Sequence, residues 1–166
     1  MPIVSPIPFN PLADGRQSDR AMLVRRGVQR LLVAMGVTAI PELPLATGRR
    51  ADLVALTRKG EIWIVEIKSS IEDFRVDRKW PQYRQFCDRL FFATHPDVPQ
   101  AIFPAEAGFI LSDGYGAEVL RDAPEHRLSA AARKALTLRI ARAGAARLTA
   151  AEMAGVAVPA LEAEGE

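Results

Sequence analysis

Residues Ala51–Ser70, ADLVALTRKGEIWIVEIKSS, contain two apolar runs, ADLVALT and EIWIVEIKSS, joined by Arg58-Lys59-Gly60. A three-residue loop ending in glycine suits the common hairpin whose third loop position is left-handed. Such a loop sets Thr57 opposite Glu61, Leu56 opposite Ile62, Val54 opposite Ile64 and Asp52 opposite Glu66. Side chains alternate across a strand, so Asp52, Val54 and Leu56 share a face with Ile62, Ile64, Glu66 and Lys68. Trp63, Val65 and Ile67 take the other face. Both faces are mainly apolar, which places the hairpin in the middle of a covered sheet. Glu61, at the turn, reads as a solvated residue.

Directly opposed residues have Cβ atoms about 4.5–5.5 Å apart, and like charges there repel. Two ionised carboxylates at Asp52 and Glu66 therefore call for a cation. Lys68 on the same face is near enough to neutralise part of the charge or to touch a bound substrate. Hard cations such as Mg²⁺ use one or two carboxylates together with water and phosphate oxygens. A metal held there would polarise a phosphate and lower the pKa of an attacking water. The structural alternative is a Glu66–Lys68 ion pair with Asp52 at a wet strand end.

Outward from the hairpin, Ser18 and Asp19 are good N-cap types before a helical pattern of Met22, Leu23, Val28, Leu31, Leu32 and Met35, and Gly36 stands where a helix ends. ELPLATGRR reads as a short edge strand interrupted by proline. Ile71 to Leu90 reads as helical, with Pro81 in the first turn of a helix starting near Lys79 or Trp80. LFFAT and AGFILSD read as buried strands, AEVLRD as an edge strand after the Gly114-Tyr115-Gly116 turn, and a long helix follows Ser129. The expected division is an extended segment at 1–17, one domain at 18–148 and an acidic, flexible tail at 149–166.

The chain has 166 residues, 49% hydrophobic and 25% charged, which excludes disordered and fibrous classes. The net charge of +2 hides a basic segment. From Arg121 to Arg147 there are seven basic residues against Asp122 and Glu125, a balance that suits an anionic partner. Cys87 is the only cysteine, so no internal disulfide or cysteine-clustered zinc site can form. The proline-broken start is unlike a signal peptide and no apolar run matches a membrane span, so a cytoplasmic protein without a membrane partner is expected.

Asp52, with Glu66-Ile67-Lys68 fourteen residues on, in the order helix, meander, helix, strand, resembles the PD-(D/E)xK nuclease superfamily. More narrowly, RRADLVAL, IWIVEIKSS and DRKWPQYRQFCDRLFFA look like the MmcB-type DNA repair proteins of bacteria, over about residues 17–147. The resemblance implies an α/β restriction-endonuclease-like fold, with a central mixed β-sheet flanked by helices. It implies Asp52 and Glu66 as ligands of Mg²⁺ or Mn²⁺, Lys68 as the catalytic lysine, and DNA as partner. Related nucleases often act as homodimers. The superfamily's proline before the aspartate is Ala51 here, and no acid lies between Asp19 and Glu42, where many members carry a helical glutamate.

Lys79, Gln82, Tyr83, Gln85 and Arg89, read as one side of the following helix, are candidate DNA contacts; Tyr83 reads equally as core. Trp80 could stack on a base or pack inward. Cys87 reads as a small buried hydrophobe, and His95 and His126 have no assigned role. Asp73 and Asp77 either cap helical turns or add a carboxylate. Two functions follow: metal-dependent phosphodiester hydrolysis on damaged or structured DNA, or a non-catalytic DNA-binding or scaffold module that retains a nuclease fold.

Overall fold

The structure is a computed structural model that describes residues 18–160. The expected extended segment at 1–17 and the last six residues of the tail lie outside the described residues. The chain forms two compact units, Met1–Leu128 and Ser129–Glu166.

In the first unit, helix α1 (Asp19–Ala34) is capped by Ser18, whose Oγ accepts the Ala21 N–H at 3.1 Å. At its end, the Gly36 N–H bonds the Val33 carbonyl and the Val37 N–H bonds the Leu32 carbonyl. That pairing needs a left-handed residue, and Gly36 supplies it with φ of 71°. Val24, Val28 and Leu32, spaced by one helical turn, bury against Val65, Phe91 and Ile110 of the sheet. The helix comes close at Gly27, where a Cβ would lie 2.8 Å from the Gly116 carbonyl oxygen.

The six-stranded sheet runs β1 (Thr38–Pro44), β2 (Arg50–Leu56), β3 (Ile62–Ile67), β4 (Arg89–Thr94), β5 (Gly108–Ser112) and β6 (Ala117–Arg121) in spatial order. β1, β2 and β3 form the antiparallel meander, β3, β4 and β5 are mutually parallel, and β6 returns antiparallel at the edge. The sheet is therefore mixed, with helices on both faces, as expected. β1 begins at Thr38, before the stretch read as a strand, and the β2–β3 loop is as expected: the Thr57 N–H bonds the Glu61 carbonyl at 3.0 Å and Gly60 has φ of 83°.

A parallel β3–β4 pair needs a crossover, and it departs from the helical reading of Ile71 to Leu90. α2 (Ile71–Val76) is followed by a break and then a 3-10 helix at Trp80–Phe86 with Pro81 in its first turn. Phe74 and Trp80 pack on Phe92, with ring centroids 5.4 and 5.5 Å apart, so Trp80 is an inward-packed aromatic. The chain then extends at Cys87 because Asp88 is fastened into the sheet. Its Oδ2 accepts the Ile62 N–H at 2.7 Å and its Oδ1 the Leu128 N–H at 2.9 Å. Arg89 is thus the first residue of β4 and leaves the helix altogether. Its guanidinium bonds Glu61, which also accepts from Trp63 Nε1 at 3.0 Å. Glu61 is accordingly a half-buried anchor and not a solvated turn residue.

The second unit is built on α3 (Ala130–Met153), capped by Ser129 through the Ala132 N–H at 3.2 Å. It extends past residue 148 to Met153, into the stretch expected to be flexible. Among the described residues no helix is long and apolar enough to cross a membrane.

Candidate active site

Backbone pairing of β2 with β3 runs from Leu56↔Ile62 to Leu53↔Val65. At the next step the carboxylates take over the bonding. Glu66 Oε1 accepts the Asp52 N–H at 3.1 Å, and Asp52 Oδ2 accepts the Ile67 N–H at 2.8 Å. The strands part here, and the two acids brace the fork from opposite sides in the register that the hairpin loop dictates. Their remaining oxygens, Asp52 Oδ1 and Glu66 Oε2, accept no hydrogen bond from a described residue.

The fork opens into a cleft of about 540 Å³ lined by Asp52, Glu66 and Lys68, by Ser18 and Ala21 at the start of α1, by Arg50 and Tyr83, and by the Ser69–Asp77 segment. Ser70 and Asp73 shape that segment: Ser70 Oγ caps α2 by accepting the Asp73 N–H at 3.1 Å, and Asp73 Oδ2 accepts the N–H of the preceding Ser69 at 3.0 Å. His95 holds the chain just after Lys68. Its Nδ1 accepts the Asp97 N–H at 3.1 Å, which leaves Nε2–H to donate to the Ser69 carbonyl at 2.9 Å.

Burial dominates the electrostatics. It pushes the Glu66 carboxyl well above the usual carboxylate range, with the Asp52 charge adding to the effect. Burial also pushes Asp52 up to about 6, against the Ile67 N–H, which favours its ionised form. For Lys68 burial works against the charge, but the hydrogen bond from Nζ to Asp77 Oδ2, 2.8 Å long, and the field of Glu66 outweigh it. Lys68 is therefore held above the ordinary lysine value, as an ammonium ion. The cleft carries five acids, Asp52, Glu66, Glu72, Asp73 and Asp77, against Arg50 and Lys68. Acids outnumber bases along this lining, a balance that disfavours a polyanion unless cations offset it.

A divalent cation fits the paired acids: two hard oxygen donors face the same cleft, and both carboxyl groups resist ionisation without a counter-charge. Asp52 and Glu66 would hold it. Among the described residues, no group of three His, Cys, Asp or Glu side chains is arranged to hold a metal. Water and substrate oxygens would supply the remaining ligands.

A family profile described as DNA repair protein MmcB-like matches residues 9–155. The chain belongs to the MmcB-like DNA repair protein family. Among solved structures, the SPO1766 protein of unknown function from Silicibacter pomeroyi is 41% identical, with a TM-score of 0.78, over 82% of this chain and 93% of that one. A repair endonuclease from Pyrococcus abyssi aligns with 62% of this chain and 42% of its own, at 14% identity and a TM-score of 0.32. None of the curated proteins matches the chain.

The MmcB-like chain scatters the other expected contacts. Lys79, just before the 3-10 helix, and Gln82 and Gln85 on it are exposed and do not line the cleft. Arg89 sits opposite Trp63, three strand positions before the Glu66↔Phe92 pair, at the far end of β3. Tyr83 does reach the cleft. It is buried, its hydroxyl donates to the Arg50 carbonyl at 3.3 Å, and burial raises its pKa further from ionisation. Cys87 is buried, with its thiol pushed up to about 12, as a small apolar side chain should be.

Two features of this MmcB-like site went unread in the sequence. Asp77, weighed as a cap or a metal ligand, is the partner of Lys68, and its other oxygen faces Arg49 at 3.8 Å. Glu42 lies opposite Asp52 on β1, between the Pro41↔Leu53 and Leu43↔Ala51 pairs. It is buried, has a left-handed φ of 56°, and its Oε2 pairs with Arg50 Nε at 2.5 Å. A non-glycine residue in that conformation costs about 1–3 kcal/mol. No sequence signal marks the turn of backbone that sets it there.

Proposed function

We propose that this cleft hydrolyses phosphodiester bonds in DNA with the help of Mg²⁺ or Mn²⁺, on the restriction-endonuclease-like plan. The observation that carries the reading is the opposition of Asp52 and Glu66 at the β2–β3 fork, with Lys68 beside them in one cleft. Membership of a DNA repair family supports DNA as the substrate.

When bound, a divalent ion would polarise the scissile phosphate and make an attacking water more acidic. Asp52 and Glu66 fix its place, because each carboxylate is already oriented by a main-chain N–H. Lys68, kept charged by Asp77, is suited to donate hydrogen bonds to a phosphate oxygen as negative charge grows there. With five acids at the cleft, the substrate should bind poorly in the absence of metal.

The test is cleavage of labelled single-stranded, nicked and branched DNA with Mg²⁺ or Mn²⁺. The wild type should cut at least one substrate, and Asp52→Asn, Glu66→Gln and Lys68→Ala should each lose about a hundredfold or more in rate. Cleavage unchanged in folded Asp52→Asn and Glu66→Gln proteins would refute the assigned site. A second reading is a module that binds DNA without cutting it; the absence of a third acidic ligand among the described residues favours it. That reading predicts binding that weakens with salt and no cleavage with any divalent metal.

A further inference from the structure

Counted on past the fork, where the strands have parted, the positions two residues beyond Asp52 and Glu66 are Arg50 and Lys68. Both line the cleft, one on each arm of the parted fork. A pair of acids at the fork is thus followed by a pair of bases, both in the lining of the same cleft. Each base is fixed by an acid from a neighbouring element. Lys68 is held by Asp77 at 2.8 Å, and Arg50 by Glu42 at 2.5 Å. Glu42 is nearly buried, while the Arg50 side chain is 41% exposed.

Arg50 is held at main chain and side chain alike. Tyr83 donates to its carbonyl, and Glu42 takes its Nε, with Arg25, itself buried, 3.7 Å from the same carboxylate. Glu42, with its left-handed backbone, lies at the β1 position opposite Asp52. A surface arginine serving solubility would need none of this. The arrangement suits a guanidinium presented to an anion, because its planar fork loses little freedom on binding.

The geometry points to Arg50 as a second phosphate-binding residue, positioned by Glu42, that takes a backbone phosphate next to the one at Asp52, Glu66 and Lys68. Arg50 lies about 7 Å along the strand from Asp52, on the scale of one step along a nucleic-acid backbone. The substrate class is therefore a polynucleotide with a phosphate on each side of a nucleoside, and a lone phosphodiester fills only half the site. This rests on the phosphodiester reading of the cleft but is tested separately.

The experiment measures binding of fluorescein-labelled DNA in Ca²⁺ across a salt series, and turnover of DNA and of bis(p-nitrophenyl) phosphate in Mn²⁺, with thermal melting as the folding control. Arg50→Ala should weaken DNA binding by about tenfold and lower the salt slope by about one. Its penalty on DNA turnover should exceed that on the small diester. Arg50→Lys should restore the slope. Glu42→Gln should weaken binding in the same direction and add nothing to Arg50→Ala in the double variant, as expected for a residue acting through another. Should Glu42→Gln fail to fold, the Arg50 variants decide the question.

Unchanged affinity and slope in folded Arg50→Ala, or equal penalties on both substrates, would overturn the proposal even while cleavage still depended on Asp52 and Glu66. No DNA binding by the wild type at low salt would also overturn it. If Arg50→Ala behaves as expected but Asp52→Asn cleaves normally, the assignment of Asp52 and Glu66 as the metal site fails and the phosphate contact stands.

Discussion

Replacing Asp52 with asparagine should stabilise the metal-free protein, although it removes a residue central to the site. Burial pushes the Asp52 carboxyl from its ordinary 3.8 up to about 6. A carboxyl with a raised folded pKa gives a contribution to stability that is full below its unfolded value and lost as pH rises through the folded one. At pH 7.5 that loss amounts to about 3 kcal/mol. The substituted side chain would keep an oxygen to accept the Ile67 N–H, now 2.8 Å from Asp52 Oδ2. Its neutral amide would recover part of the loss, about 1–3 kcal/mol. For a chain of this size that is a rise in Tm of about 3–10 °C. The assay is differential scanning fluorimetry in EDTA at pH 4 and pH 7.5, with and without excess Mg²⁺. The gain should appear at pH 7.5 and vanish at pH 4. Saturating Mg²⁺ should stabilise the wild type, by about 2.7 kcal/mol at a hundred times Kd, and shrink or reverse the gap. A lower Tm for Asp52→Asn in EDTA at pH 7.5, or an equal gain at pH 4, would refute the view that the site carries unbalanced negative charge.

Three further substitutions separate chemistry from scaffold. Asp77→Asn should lower kcat for DNA by about tenfold or more with little change in KM, since it loosens the Lys68 ammonium and leaves the cleft walls in place; a KM effect alone would contradict this. Asp88→Ala should cost about 2–4 kcal/mol in chemical denaturation, because it strips acceptors from the Ile62 and Leu128 N–H groups, while folded protein should bind Mn²⁺ as before. Gly27→Ala should cost about 1–3 kcal/mol, because its methyl would meet Ser112 Oγ and the Gly116 carbonyl, and a neutral result would show that α1 can shift.

The core of the candidate site was legible because a short loop fixes a register. Arg58-Lys59-Gly60 admits few geometries, so the opposition of Asp52 and Glu66 followed from counting, and alternation then put Lys68 on the same face. Four strands were legible from their apolar runs and β6 from the turn before it, whereas β1 begins at Thr38, ahead of the ELPLATGRR stretch read as the first strand. The crossover was not. Apolar spacing from Ile71 to Leu90 suits a helix, but long-range contacts decided otherwise. Phe74 and Trp80 follow Phe92, and Asp88 is tied to Ile62 and Leu128, which moves Arg89 to the far end of β3. Asp77 and Glu42 were invisible for a related reason. Each acts on a base from another element, Asp77 on Lys68 and Glu42 on Arg50, and local pattern says nothing of such pairs.

On the proposed reading, Asp52 and Glu66 together hold one divalent cation at the fork. A crystal soaked in Mn²⁺ and measured for anomalous scattering tests it most directly. A peak should lie within coordination distance of Asp52 Oδ1 and Glu66 Oε2 and be absent in Asp52→Asn crystals treated alike. An empty fork at saturating Mn²⁺, or a peak that persists undiminished in the variant, would contradict it.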